Sequence, residues 1–212
     1  MNEQQVTQYK SQLGRYLPQA SIDPIFEFMD ANCVQFHITR ERRSKLGDYR
    51  CPQLNHNYHE ISINGNLNPY YFLLVLLHEM AHLNTYLHYH NRVAPHGHEW
   101  QEHYRQLLAQ YIQYNAFPAD VTQLLLKYIR RIPLSRTIGS KIEVTLRHYN
   151  PDYQPSTSLT LNDLKPGDTF CLCNRPDQEF IALEHRRTRW KCQDTKSLNL
   201  YLVAGTAEVK LV

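Results

Sequence analysis

The chain has 212 residues, of which 42% are hydrophobic and 20% charged, and its 23 Lys and Arg stand against 20 Asp and Glu for a net charge of +3. That length and apolar content allow one substantial core plus a small second module, and they exclude a disordered polymer or an internal repeat array. No stretch approaches the about 20 consecutive apolar residues that span a bilayer, so a membrane partner is not expected.

In chain order, residues near Val6 to Tyr16 and Pro24 to Asn32 read as two helices, separated by Pro18, with Ser21 or Asp23 as the cap of the second. His37 and Ile61 to Ile63 fall in strands, and Arg40 to His59 reads as a polar connection between them. Ile61 and Ile63 point one way while Glu60, Ser62 and Asn64 point the other. That strand is either half-buried in an ordinary sheet or an edge to which an extended peptide adds. Asn68-Pro69 is an N-cap followed by proline at the first helical position, opening a buried helix through Tyr70 to Leu77. Asn91 to Pro95 reads as a loop, and a second helical pattern runs from His96 to about Tyr114. Asp120 is placed as the cap of a helix from Val121 to Arg131, ended by Pro133.

Beyond Pro133 the pattern shifts to short runs punctuated by turns at Pro166-Gly167-Asp168 and Ala204-Gly205. Thr169 to Leu172, Glu179 to Leu183, Thr188 to Cys192, Asn199 to Val203 and Glu208 to Val212 read as strands of a small barrel or sandwich. The expected organisation is α+β: a helical domain with a small sheet over residues 1–133, a linker over 134–158, centred on the proline-containing Asn150 to Ser158, and a small β-rich module over 159–212.

The chemistry concentrates at His78, Glu79 and His82, an HExxH sequence on the apolar helix. Positions i and i+4 share a helix face, so the two imidazoles can bind one Zn²⁺ while Glu79 stands beside the water to be activated. The alternative is a core helix whose histidines merely hydrogen-bond. Against it, seven of the twelve histidines lie between His78 and His103.

A catalytic zinc wants three protein ligands and one open position. His88 completes a metzincin-like spacing, but Thr85 stands where that pattern needs a turning glycine. If the helix continues at about 100° per residue, His88 faces roughly 120° away from His82. Glu102 lies at about the distance of a gluzincin carboxylate ligand, with Glu99 a turn earlier, and His96 opens the second helix from which it could swing onto the metal.

HExxH, a short loop, then His96-Gly97-His98-Glu99 followed by the aromatic Trp100 resembles the SprT-like, or Spartan-type, metallopeptidases. The resemblance covers roughly residues 25 to 115, including Leu46-Gly47 and the Ile61-Ser62-Ile63 strand ahead of the helix. It implies a zincin-like domain, His96 as third ligand beside His78 and His82, one catalytic Zn²⁺, and Glu79 as general base of an endopeptidase acting on protein substrates. Many relatives carry a four-cysteine zinc ribbon. Here only Cys171, Cys173 and Cys192 lie in the C-terminal part, too few for the two CxxC-like pairs a ribbon needs.

Cys33 and Cys51 bring the total to five, and Met1 to Gln5 shows no basic stretch leading into an apolar core. These features lead to the expectation of reduced thiols in a cytoplasmic protein. Mn²⁺ or another divalent ion also suits imidazole ligands. For the second electrophile of amide hydrolysis, His98, Tyr104 and Tyr114 are all candidates.

Charge adds a second theme. Lys127, Arg130, Arg131, Arg136, Lys141 and Arg147 face the single acid Glu143, and Arg186-Arg187-Thr188-Arg189-Trp190-Lys191 embeds an aromatic in a basic run. Such a run is either a solvated face or a surface that contacts phosphates and stacks on a base. Eukaryotic SprT-like relatives act on proteins crosslinked to DNA, so the resemblance makes DNA a candidate partner, with Arg130, Arg131, Arg186, Arg187, Arg189, Trp190 and Lys191 as contacts. The competing readings are a nucleic-acid-binding protein with a structural or vestigial zinc and another zinc hydrolase such as a nuclease. Glu79 argues against the first, because a closed structural site has no use for a base.

Overall fold

Asn2 opens α1 (Glu3–Leu13) through a capping box in which its side chain accepts from the Gln5 amide and Gln5 reaches back to the Asn2 amide. The computed structural model describes residues 2–42, 44–53, 57–130, 136–151, 153, 159–173 and 175–212. They form two compact units, Met1–Asp152 and Tyr153–Val212, together an α+β chain.

In the first unit α2 spans Gln19–Ala31. It starts ahead of Pro24, so neither Ser21 nor Asp23 caps it: Pro18 is the N-cap residue, and Ser21 Oγ donates back to the Pro18 carbonyl at 2.7 Å. Ile22, Ile25 and Met29 fall at helical spacing on its buried face.

Three strands follow: β1 (Val34–Thr39), β2 (Gly47–Arg50) and β3 (His59–Asn64). β3 pairs in parallel with β1 and antiparallel with β2, in the order β1-β3-β2. The Ile61 strand is therefore central and cannot be the edge that receives a peptide. The edge nearer the chemistry is β2, a strand lying within what reads as polar connection.

Helix α3 (Pro69–Tyr89) carries the HExxH sequence and, with no glycine to break it, continues through Thr85, whose hydroxyl donates to the Ala81 carbonyl at 2.7 Å. Phe72, Leu73, Leu76, Leu77 and Leu83 are fully buried, each contributing about 1.5–3 kcal/mol by leaving water. That burial fixes the helix, and hence the side chains on its opposite stripe.

Helices α4 (His98–Gln113), α5 (Ala119–Ile129) and α6 (Arg136–Arg147) complete the unit. Pro118, rather than Asp120, is the α5 N-cap residue. Helix α6 occupies the stretch expected to be linker. Ile142 and Leu146 bury in the first core, and Asn68, the α3 N-cap, donates to the Leu146 carbonyl at 2.7 Å and to Asn150 Oδ1 at 2.8 Å. Tyr149 donates to Asp120 at 2.7 Å and stacks edge-on against Tyr70. Arg131, Pro133 and most of the expected linker core lie outside the described residues.

The second unit is one antiparallel sheet of β4 (Leu159–Thr160), β5 (Thr169–Leu172), β6 (Arg175–Arg186), β7 (Arg189–Asp194), β8 (Leu200–Ala204) and β9 (Glu208–Leu211), ordered β4-β9-β5-β6-β7-β8. Phe170, Phe180, Ala182, Trp190, Cys192 and Val209 make its core. All five cysteines are free. Among the described residues no helix is long and apolar enough to cross a membrane.

Candidate metal centre

His78 and His82 lie one turn apart on α3, and His96 precedes α4 in a tight turn whose backbone has φ +58 at His96 itself. A positive φ is uncommon for histidine, so the surrounding structure holds this residue in place. Gly97, the α4 N-cap, helps: a Cβ there would stand 3.0 Å from the Ala94 carbonyl. Gln101 Nε2 donates to the His96 carbonyl at 3.0 Å.

The three Nε2 atoms converge. Separations are 3.3 Å for His78–His82, 3.0 Å for His82–His96 and 3.1 Å for His78–His96. A tetrahedral ion held at about 2.0–2.1 Å from each nitrogen requires N···N separations of about 3.3 Å. Burial, then the neighbouring His82 and His96, pushes His78 down to about 3; burial, then His96, pushes His82 down to about 4; burial also lowers His96. The rings are therefore neutral at pH 7, the state in which imidazole ligates. Three lone pairs facing one point are best satisfied by one cation, and these residues form a cluster able to hold a metal ion. Trp100 underpins them, its ring centroid 4.6 Å from His78, 5.3 Å from His82 and 4.6 Å from His96.

Glu79 is buried on the strand side of α3. Its carboxyl is pushed up to about 7 by burial and by the Asp48 carboxylate, against the opposing pull of Arg42, Lys45 and the Tyr49 amide that donates to it. β2 passes so close that a Cβ on Gly47 would lie 2.5 Å from Glu79 Oε1 and 2.8 Å from Val75 Cγ1. Any larger residue there forces the strand or these side chains to shift. The sequence offered Leu46-Gly47 only as part of a resemblance, and the space Gly47 leaves for Glu79 emerges from the fold.

The other sequence-derived ligand candidates stand apart. His88 Nδ1 lies 2.8 Å from the Asn84 carbonyl and its ring packs on His103. Glu102 accepts from Arg105 Nε at 2.9 Å and from Gln106. Glu99 turns back toward Gly97 at the start of α4. Of His98, Tyr104 and Tyr114, Tyr104 lines the cavity beside Glu79, with its ring centroid 5.7 Å from His78.

That cavity, about 710 Å³, extends from His78, Glu79 and His96 along Leu74 and Tyr71 to Tyr128 and α6. A second, about 450 Å³, lies on the His82 side and is lined by Tyr49, Arg50, Tyr86 and Pro95. His96 and Trp100 border both, as does the β2 segment, with Gly47 on one cavity and Tyr49 on the other.

The basic candidates fall in different units. Arg130 is the exposed C-cap residue of α5 in the first unit. Arg186, Arg187 and Arg189 are exposed at the tip of the β6–β7 hairpin in the second, and Lys191 is half-buried. Trp190 is 5% exposed, sits in the second core and donates to Asn162 Oδ1 at 3.1 Å, so it cannot stack on a base.

The model of the SprT-like family matches residues 17–123, half of the chain, and the chain belongs to that family. No curated protein and no solved structure matches it significantly.

Proposed function

We propose that this chain is a zinc-dependent metalloendopeptidase with a zincin-like arrangement, acting in the cytosol on protein substrates. The observation that carries the reading is the convergence of three neutral imidazole nitrogens beside a buried carboxylate in an open cleft. His78, His82 and His96 would hold the zinc ion, which when bound would supply a Lewis acid for the peptide carbonyl and for water. Glu79 takes the proton from the attacking water and passes it to the leaving amine, a role suited to a carboxyl that titrates near neutrality. Tyr104, whose phenol is kept protonated by burial, donates to the oxygen on which charge develops. Among the described residues β2 is an edge strand that borders both cavities, where an extended peptide can lie.

Glu79→Gln is the test. It should keep metal and fold yet lose peptide hydrolysis by at least about 10²-fold, as removal of a general base does. Unchanged cleavage would sink the mechanism, and loss of an RNA rather than a protein band would favour a nuclease. DNA enters this reading through the exposed arginines of the β6–β7 hairpin, which suit phosphate contact without base stacking.

A further inference from the structure

One wall of the 710 Å³ cavity, at its far end, lies beyond the family match. Tyr71, Leu74, Val75 and His78 form one stripe of α3 at i, i+3, i+4 and i+7, so the floor of the cavity is the ligand face of the helix continued toward its N-terminus. Facing Tyr71 at that end is Glu143 of α6, and Tyr128 of α5 stands beside it. These last two residues fall after 123, so this wall belongs to the chain's own extension of the family domain.

The charges in the cavity are unevenly committed. Lys45, at the Glu79 end, is paired with Asp48 at 2.7 Å. Glu143 is solvent-accessible, and among the described residues no ion pair or hydrogen bond to its carboxylate is seen; the charge of Arg147, one turn further along α6, lowers it. Desolvation in the cavity raises the Glu143 carboxyl, so a cation arriving there gains by restoring its charged form. Between the two ends the cavity is lined by Leu74, Val75, Ile142, Tyr104 and Tyr128.

A cleft with apolar walls that ends at a solvent-accessible carboxylate complements a side chain with an aliphatic stem and a cationic head. From His78 to Tyr71 the helix advances roughly 10 Å at 1.5 Å per residue, a span suited to the longest natural side chains. We propose that this cavity is a specificity pocket for a lysine or arginine side chain flanking the scissile bond, with Glu143 as its anionic end. The inference rests on the peptidase reading for the position of the scissile bond, while the cation pocket itself does not.

Two measurements separate them. In the first, the zinc-loaded full-length protein digests an unfolded protein and the new termini are sequenced. Lys or Arg should be enriched at one fixed position beside the cut, and Glu143→Gln should abolish the enrichment. Cleavage without that enrichment overturns the pocket and leaves the peptidase standing. In the second, Glu79→Gln protein is titrated with fluorescent peptides differing only in arginine or norleucine at one position. The arginine peptide should bind roughly tenfold tighter or better, the scale of a hydrogen bond to a charged group, and Glu143→Gln in the same background should erase the difference. Equal affinities overturn the pocket. If the wild type cleaves nothing, the peptidase reading fails and the titration alone decides the pocket.

Discussion

Trp100 and Trp190 are equally buried, at 5% exposure, and each brings one indole N–H into its unit's interior. In the second unit that N–H reaches Asn162 Oδ1 at 3.1 Å; in the first, Trp100 Nε1 has no partner among the described residues. The acids contrast in the same way. Asp194 accepts from the Ser197 amide and hydroxyl, the Lys196 amide and Gln178, bonds that hold its carboxyl down to about 2. Glu79 is desolvated by burial and crowded by Asp48, which push its carboxyl up to about 7. Polar groups in the small sheet are consumed by structure. Those around α3 are held without full compensation, which costs stability and leaves lone pairs and a base available to a ligand.

Removing the space for Glu79 should break the first side of this contrast hardest. Gly47→Ala forces either β2 or the carboxylate to move, costing about 1–3 kcal/mol as overpacking does. Peptide hydrolysis should fall roughly 10-fold or more, the penalty of a displaced reacting group. Melting curves and peptide cleavage on the same variant check both, and a fully active Gly47→Ala would mean that Glu79 is not held by this contact.

The second side yields to pH. Because the folded carboxyl of Asp194 is depressed, its contribution to stability is complete above the ordinary value of 3.8 and is lost as pH falls toward about 2. Asp194→Asn should lower the melting temperature of the second unit by several degrees at neutral pH. The gap between variant and wild type should close near pH 2, as thermal melts at a series of pH values would reveal. A gap independent of pH would assign Asp194 a packing role instead.

The smallest effect concerns the hairpin tip. If its arginines meet phosphates, Arg187→Glu with Arg189→Glu should weaken DNA affinity and flatten its salt dependence, since each lost phosphate contact removes about one unit of slope. Metal content should not change. No DNA binding by the wild type at low salt would make the tip a solvated face.

The legibility of these features in the sequence follows their physics. The HExxH helix was legible because cap, proline and apolar run are all local signals, and the continuation of α3 past Thr85 follows from the missing glycine. His96 needed spacing and resemblance together, because no local signal shows a loop folding back. β2 escaped because Gly47, Asp48, Tyr49 and Arg50 show no apolar alternation; pairing with β3 makes them a strand. α6 read as linker because its basic composition hides Ile142 and Leu146, which become a helix face only against α3 and α5. Trp190 alternates inward with Cys192, a period-2 signal that the surrounding arginines masked. In the sequence Glu143 reads as a lone acid among bases; only the fold places it in the cavity.

The most direct test of the central claim, that His78, His82 and His96 hold one metal ion, is elemental analysis of purified protein. The wild type, His88→Ala and Glu102→Ala should each carry about one zinc per chain at saturation, and His96→Ala should lose most of it, because two imidazoles leave a catalytic-type site one ligand short. Full zinc in His96→Ala together with its loss in His88→Ala or Glu102→Ala would contradict the assignment.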